Sequence, residues 1–122
     1  MVIIDPKKYL QESSNLIYSS LQNEILDLEL NKFIYHLKVL FSTGSILYIR
    51  FNEFGEYGYQ LLFSKKKGDF VRWDNFEDRW PVSSRPHHFH IRYCGGVEES
   101  PMTGNPSSDI PRLIMFIQDE LF

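Results

Sequence analysis

The run His87-His88-Phe89-His90 puts imidazoles at His88 and His90, two positions apart, in a stretch that reads as extended chain. Alternate side chains of a strand share a face. The two rings can therefore reach one divalent ion through nitrogen, or act as proton donor and acceptor near neutral pH. A metal needs a third ligand, and Asp74, Asp78 and His36 are all candidates that no spacing rule ranks. If the strand runs from His88 to Tyr93, Arg92 joins the rank of His88 and His90, while His87, Phe89, Ile91 and Tyr93 point the other way. The structural alternative is that these histidines are strand residues hydrogen-bonded to backbone or carboxylates.

Arg72-Trp73-Asp74-Asn75 is a second constellation. Arginine binds phosphate with a planar fork, tryptophan stacks on a base, and Asp-Asn shapes a turn that presents both. Equally, Asp-Asn is ordinary turn chemistry and Trp73 a core residue. Both constellations lie between Asp69 and Tyr93, a stretch holding three of the four histidines, both tryptophans and four arginines. Arg79, Arg85 and the run Lys65 to Lys67 are further cations there, the lysines reading as a solvated hairpin tip. Cys94 beside Gly95-Gly96 reads as a packing residue. No phosphate-cradling glycine loop, nucleophile elbow or HExxH pattern is present.

Positioning these residues falls to elements with clear periods. Asp5-Pro6 opens a helix, and Tyr9, Leu10, Leu16, Ile17 and Leu21 carry it to about Leu21. Ile25 to Leu30 is either a first strand or a short continuation of that helix. From Phe33 the period becomes two, with Phe33, Tyr35, Leu37, Val39 and Phe41 on one face. Turns at Ser42-Thr43-Gly44, Asn52 to Glu56 and Lys65 to Gly68 then separate strands over 46–51, 57–63 and 69–73. Consecutive strands without a helical crossover predict an antiparallel meander. Residues 94 to 108 read as one long loop. Ser108 or Asp109 caps a last helix with Pro111 in its first turn and Ile110, Leu113, Ile114, Phe116, Ile117 and Leu121 as its stripe. The expected fold is α+β: one domain over 1–122, an antiparallel meander sheet of about five or six strands packed against N-terminal and C-terminal helices on one face.

A chain of 122 residues fits one domain, and its high aromatic share, 16%, favours packed strands. A formal charge of −3 argues against a protein that coats nucleic acid through bulk charge. It leaves room for a small basic pocket, or for an acidic surface that meets a basic protein. With Cys94 as the only cysteine there is no intramolecular disulfide and no thiolate-rich zinc site, which fits the cytoplasm. The N-terminal segment lacks the features of a leader, and no run nears the roughly 18 apolar residues of a membrane span. The chain is expected to fold alone, with a partner or as a homo-oligomer.

Tyr57-Gly58-Tyr59-Gln60, then Arg72-Trp73-Asp74-Asn75, then Pro86-His87-His88-Phe89-His90, then a short apolar final helix: this order resembles the TumE-type toxins of bacterial and archaeal toxin–antitoxin pairs. The resemblance spans about half the chain, from the meander to the last helix, and implies a toxin restrained by a cognate antitoxin, commonly a helix-turn-helix DNA-binding protein. It leaves the chemistry open. Histidine and arginine cleave RNA without a metal or other cofactor, which makes RNA cleavage the leading expectation. On that reading His88 and His90 share proton transfer, Arg72 or Arg92 stabilises the phosphorane, and Trp73, Asp74, Asn75 and His87 contact substrate. The alternatives are a divalent-metal-binding protein using His88 and His90, and a non-catalytic interaction domain.

Overall fold

The computed structural model describes residues 4–122. Met1 to Ile3, part of the segment read for a leader, lie outside the described residues. Helix α1 covers Pro6–Leu21, and the Asp5 carboxylate caps it by accepting from the Lys7 and Lys8 N–H groups. A single 3₁₀ turn, Gln22–Glu24, then leads into strands β1 (Ile25–Asn31), β2 (His36–Phe41), β3 (Ile46–Phe51), β4 (Tyr57–Leu62), β5 (Phe70–Asp74), β6 (His88–His90) and β7 (Val97–Glu99). Helix α2, Pro106–Leu121, ends the chain. The seven strands form one antiparallel sheet in sequence order, the expected meander with one strand more than expected.

Both helices lie on one face of that sheet. Ile49, Tyr59 and Trp73 stand side by side in the register, and Phe51 is on the same face two positions along its strand. Tyr9 of α1 meets Phe51 edge-on at 5.2 Å between centroids, and Phe116 of α2 meets Trp73 at 4.9 Å. The core follows from this face: Leu37, Val39, Phe41, Leu47, Ile49, Tyr59 and Leu61 are fully buried against Leu10, Ile17, Ile110, Leu113 and Ile117. Each buried aliphatic side chain contributes about 2 kcal/mol by removal from water. The opposite face carries no helix and presents Lys38, Arg50, Gln60, Arg72 and Asp74 beside an apolar row of Leu40, Ile46, Leu62 and Phe70.

Four local expectations differ from the structure. Phe33 and Tyr35 do not join β2. The Asn31 carboxamide accepts from the Phe33 and Ile34 N–H groups, an Asx turn that lets the chain reverse through Tyr35 at φ 54° and leaves Phe33 96% exposed. The strand at His88 stops at His90, because Tyr93 adopts φ 65° and donates its N–H to the Gly68 carbonyl. The loop after Cys94 contains β7, a strand too short to show a period. Finally, Asn105 rather than Ser108 or Asp109 caps α2, with Pro106 in its first turn, so Pro111 falls inside the helix and Asp109 is free to turn inward.

Candidate functional site

The last residues of β5 and the three residues of β6 build the site on the open face. Asp74 pairs with His88 and Arg72 with His90 across the two strands, so all four side chains stand on the face opposite the helices. Trp73 and Phe89, the intervening pair, point into the core, their rings 4.9 Å apart. Asp74, 1% exposed, is the centre. Its Oδ1 accepts from His88 Nε2 at 2.8 Å and from the Phe76 N–H at 3.0 Å. Its Oδ2 accepts from Arg72 Nε at 2.7 Å and from His90 Nε2 at 3.2 Å. Burial opposes the Asp74 charge, but the His90 hydrogen bond, the Arg72 and His88 charges and the Phe76 N–H outweigh it and hold the carboxyl below its ordinary range.

Four donors on two oxygens settle where the protons lie. A carboxylate only accepts, so both histidines carry hydrogen on Nε2. The buried His88 also has its Nδ1 2.9 Å from the Pro86 carbonyl, so both of its ring nitrogens face protein acceptors. His90 differs. Its Nδ1 has no protein partner, and among the described residues no buried side-chain nitrogen or oxygen lacks one, so Nδ1 is open to solvent with a lone pair to offer. Arg72 spends Nε on Asp74 and keeps its terminal nitrogens for another acceptor. One buried carboxylate thus orients an imidazole with its Nδ1 unpartnered, a second imidazole engaged at both nitrogens, and a half-free guanidinium around a cleft of about 150 Å³, also lined by Phe76, Glu77 and Trp80.

Other residues singled out in the sequence lie elsewhere. Arg92 leaves the cluster because β6 ends before it: its Nε donates to Asp69 Oδ1 at 2.6 Å and its guanidinium covers the Phe63 ring at 3.8 Å. Trp73 belongs to the core, 5% exposed. Asn75 clamps two turns, accepting from the Tyr57 N–H and donating to the Gly55 carbonyl, both at 3.0 Å. His87 stacks on Tyr57 and shares a hydrogen bond of 2.8 Å with its hydroxyl. Of the four residues expected to contact substrate, only Asp74 lines the cleft. Trp80 was not singled out, yet its ring lies 5.8 Å from both His88 and His90. A tryptophan in a polar connection between two strands must cover something, and that was its available signal.

The placement of Arg92 has a measurable consequence. Arg92→Ala is expected to lower the melting temperature, because it leaves the buried Asp69 carboxylate without its cation, and to leave growth arrest on expression as in the wild type. Loss of arrest with an unchanged melt would put Arg92 back in the site.

The family model described as Toxin TumE matches residues 6–121, nearly the whole chain. No curated protein and no solved structure matches it. No helix among the described residues is long and apolar enough to cross a membrane.

Proposed function

Since the chain belongs to the TumE toxin family, and a toxin of such a pair has an antitoxin partner, we propose that it acts as a metal-independent ribonuclease in the cytoplasm, restrained by a helix-turn-helix antitoxin. The observation that carries this reading is the convergence of His88, His90 and Arg72 on the buried Asp74. His90 Nδ1 takes the 2′-hydroxyl proton as that oxygen attacks the adjacent phosphorus. The P–O5′ bond breaks with its electron pair on the leaving oxygen. The leaving oxygen takes its proton from water in the cleft, since both His88 ring nitrogens are engaged with Asp74 and Pro86. His88 holds Asp74 in place, and the terminal nitrogens of Arg72 meet the charge on the phosphorane. The products are a 2′,3′-cyclic phosphate and a free 5′-hydroxyl.

The test is induced expression of the wild type beside His90→Ala, with soluble protein and total RNA followed in both. His90 is partly exposed at a strand end, so the variant is expected to fold, to lose growth arrest, and to cleave RNA at least 10²-fold more slowly, the loss typical for removal of a general base. Growth arrest by the wild type with its RNA intact would remove the ribonuclease and leave the toxin.

One observation favours a second reading. Asp74, His88 and His90 each offer a ligand atom, all within 4.8 Å of one another, and the Pro86 carbonyl on His88 Nδ1 is the kind of support that directs Nε2 to a metal. Against it, a divalent ion would have to displace both Nε2 hydrogens and compete with Arg72 for the carboxylate. Metal analysis of protein purified without chelator separates the two: one equivalent of zinc, with activity lost in chelator and restored by zinc, would put the metal first.

A further inference from the structure

The sheet register continues the site sideways. His36, Arg50, Gly58, Asp74 and His88 lie in one row across β2 to β6 on the open face. Two strand spacings, about 10 Å, separate Arg50 from Asp74, and the residue between them is glycine. A Cβ at Gly58 would stand 3.9 Å from Phe76 Cε2 and 4.0 Å from Arg72 Nη2, so a side chain longer than alanine's would fill the passage between the strands on either side. On the far side of Gly58 is a second cleft, of about 290 Å³, lined by Tyr35, His36, Arg50, Asn52, Glu56 and Phe76 among others. Phe76 lines both clefts.

Arg50 brings a guanidinium without an ion-pair contact to this second cleft, which also carries one carboxylate. Arg50 is exposed and has no ion-pair partner among the described residues, in contrast to Arg72, Arg79, Arg85 and Arg92, each of which does. The carboxylate on the wall, Glu56, is held by the Asn52 carboxamide at 2.9 Å. Burial and the neighbouring Arg50 charge both push the His36 imidazole below its ordinary range, which leaves its ring a neutral hydrogen-bonding group beside the guanidinium. Tyr35 and Phe76 add aromatic surface.

Resting on the ribonuclease reading, we infer that this cleft is the subsite for the neighbouring nucleotide of a single-stranded RNA, with Arg50 on its phosphate and Phe76 or Tyr35 against its base. The chemistry required is present: a guanidinium with free donors for a phosphodiester, aromatic faces for a base, and a shared wall, Phe76, between this cleft and the one where the bond is cut. A base-paired helix does not fit this arrangement, because its bases are stacked on one another and cannot enter a cleft. The substrate class is accordingly an unpaired strand of at least two nucleotides.

The experiment is binding of a fluorescent, uncleavable 2′-O-methyl hexanucleotide to wild type, Arg50→Ala and Arg50→Lys across a salt series, with cleavage of the corresponding RNA followed in parallel. Arg50 is exposed, so both variants keep the fold, as circular dichroism would verify. Arg50→Ala is expected to bind at least tenfold more weakly and to flatten the slope of log K against log salt by about 0.7, the share of one phosphate in a single strand. Arg50→Lys retains the slope and loses part of the affinity. If wild type and Arg50→Ala bind with the same affinity and slope while wild type cleaves RNA, the subsite is wrong and the ribonuclease stands. If the wild type neither binds nor cleaves, both fall.

Discussion

Asp74→Asn is expected to abolish growth arrest and to lower RNA cleavage by about 10³-fold or more, the scale seen when the carboxylate behind a catalytic imidazole is made neutral. The substitution keeps the shape and removes the charge on which three side-chain donors and the Phe76 N–H converge. The amide offers one oxygen and two N–H donors, so at least one of His88, His90 and Arg72 loses its acceptor, and the His90 tautomer with Nδ1 free is no longer fixed. Removing one partner of a buried ionic cluster costs about 3–5 kcal/mol. The lower end applies here, because Arg72 and His90 are 29% and 25% exposed and recover water.

The same variant has a pH signature. Asp74 ionises below its ordinary value of 3.8 in the folded chain, and a depressed carboxylate stabilises the fold above the unfolded-state value, losing that contribution as pH falls through the folded one. Melting temperature against pH is therefore expected to drop less steeply for Asp74→Asn than for the wild type below about pH 4. A wild type and a variant with parallel acid limbs would show that Asp74 ionises at the same pH folded and unfolded, so that the converging donors do not favour its charge.

The second large effect lies away from the cleft. Asp109→Ala is expected to destabilise the fold by about 3 kcal/mol, from the buried Tyr59 hydroxyl and the partly covered Thr103 and Gly104 N–H groups left without an acceptor. Asp109 is fully buried. Its Oδ2 accepts from the Tyr59 hydroxyl and the Gly104 N–H, both at 2.7 Å, and its Oδ1 from the Thr103 N–H at 2.9 Å. Burial, then the Asp109 charge, raise the Tyr59 phenol well above its ordinary range, so it stays a donor at every physiological pH. The network pins residues 103 and 104 against the sheet, where Gly104, at φ 90°, sits so close that a Cβ would come within 3.0 Å of Tyr57. Tyr59→Phe, which removes one donor and leaves the carboxylate with its backbone partners, should cost about 1 kcal/mol. Denaturant melts of the two variants check the contrast, and equal losses would mean that Asp109 stabilises the fold through the Tyr59 hydroxyl alone.

The strands and helices were legible because each writes its own period. Tyr57 to Phe63 alternates, α1 and α2 repeat at three and four, and the absence of a crossover left only a meander on which both helices could bury their stripes. The errors came where side-chain chemistry outvoted the period. Asn31 capped a turn through residues that alternate like a strand, and three residues of β7 are too few to alternate visibly.

The location of the site was equally legible, since His88, His90, Arg72 and Asp74 fall within twenty residues of one another. The sequence by itself determined the α+β class, the meander and the neighbourhood of this candidate site. The tertiary structure decided the partners: Asp74 rather than Asp78 or His36 at the centre, Arg72 rather than Arg92 beside it, Asp109 turned into the core, and Arg50 in the same row two strands away. The reason is that a period belongs to one segment, whereas a contact across a sheet depends on register. Register is set by turn lengths and by where each strand stops, as Tyr93 shows by ending its strand at φ 65° and taking Arg92 away from the histidines.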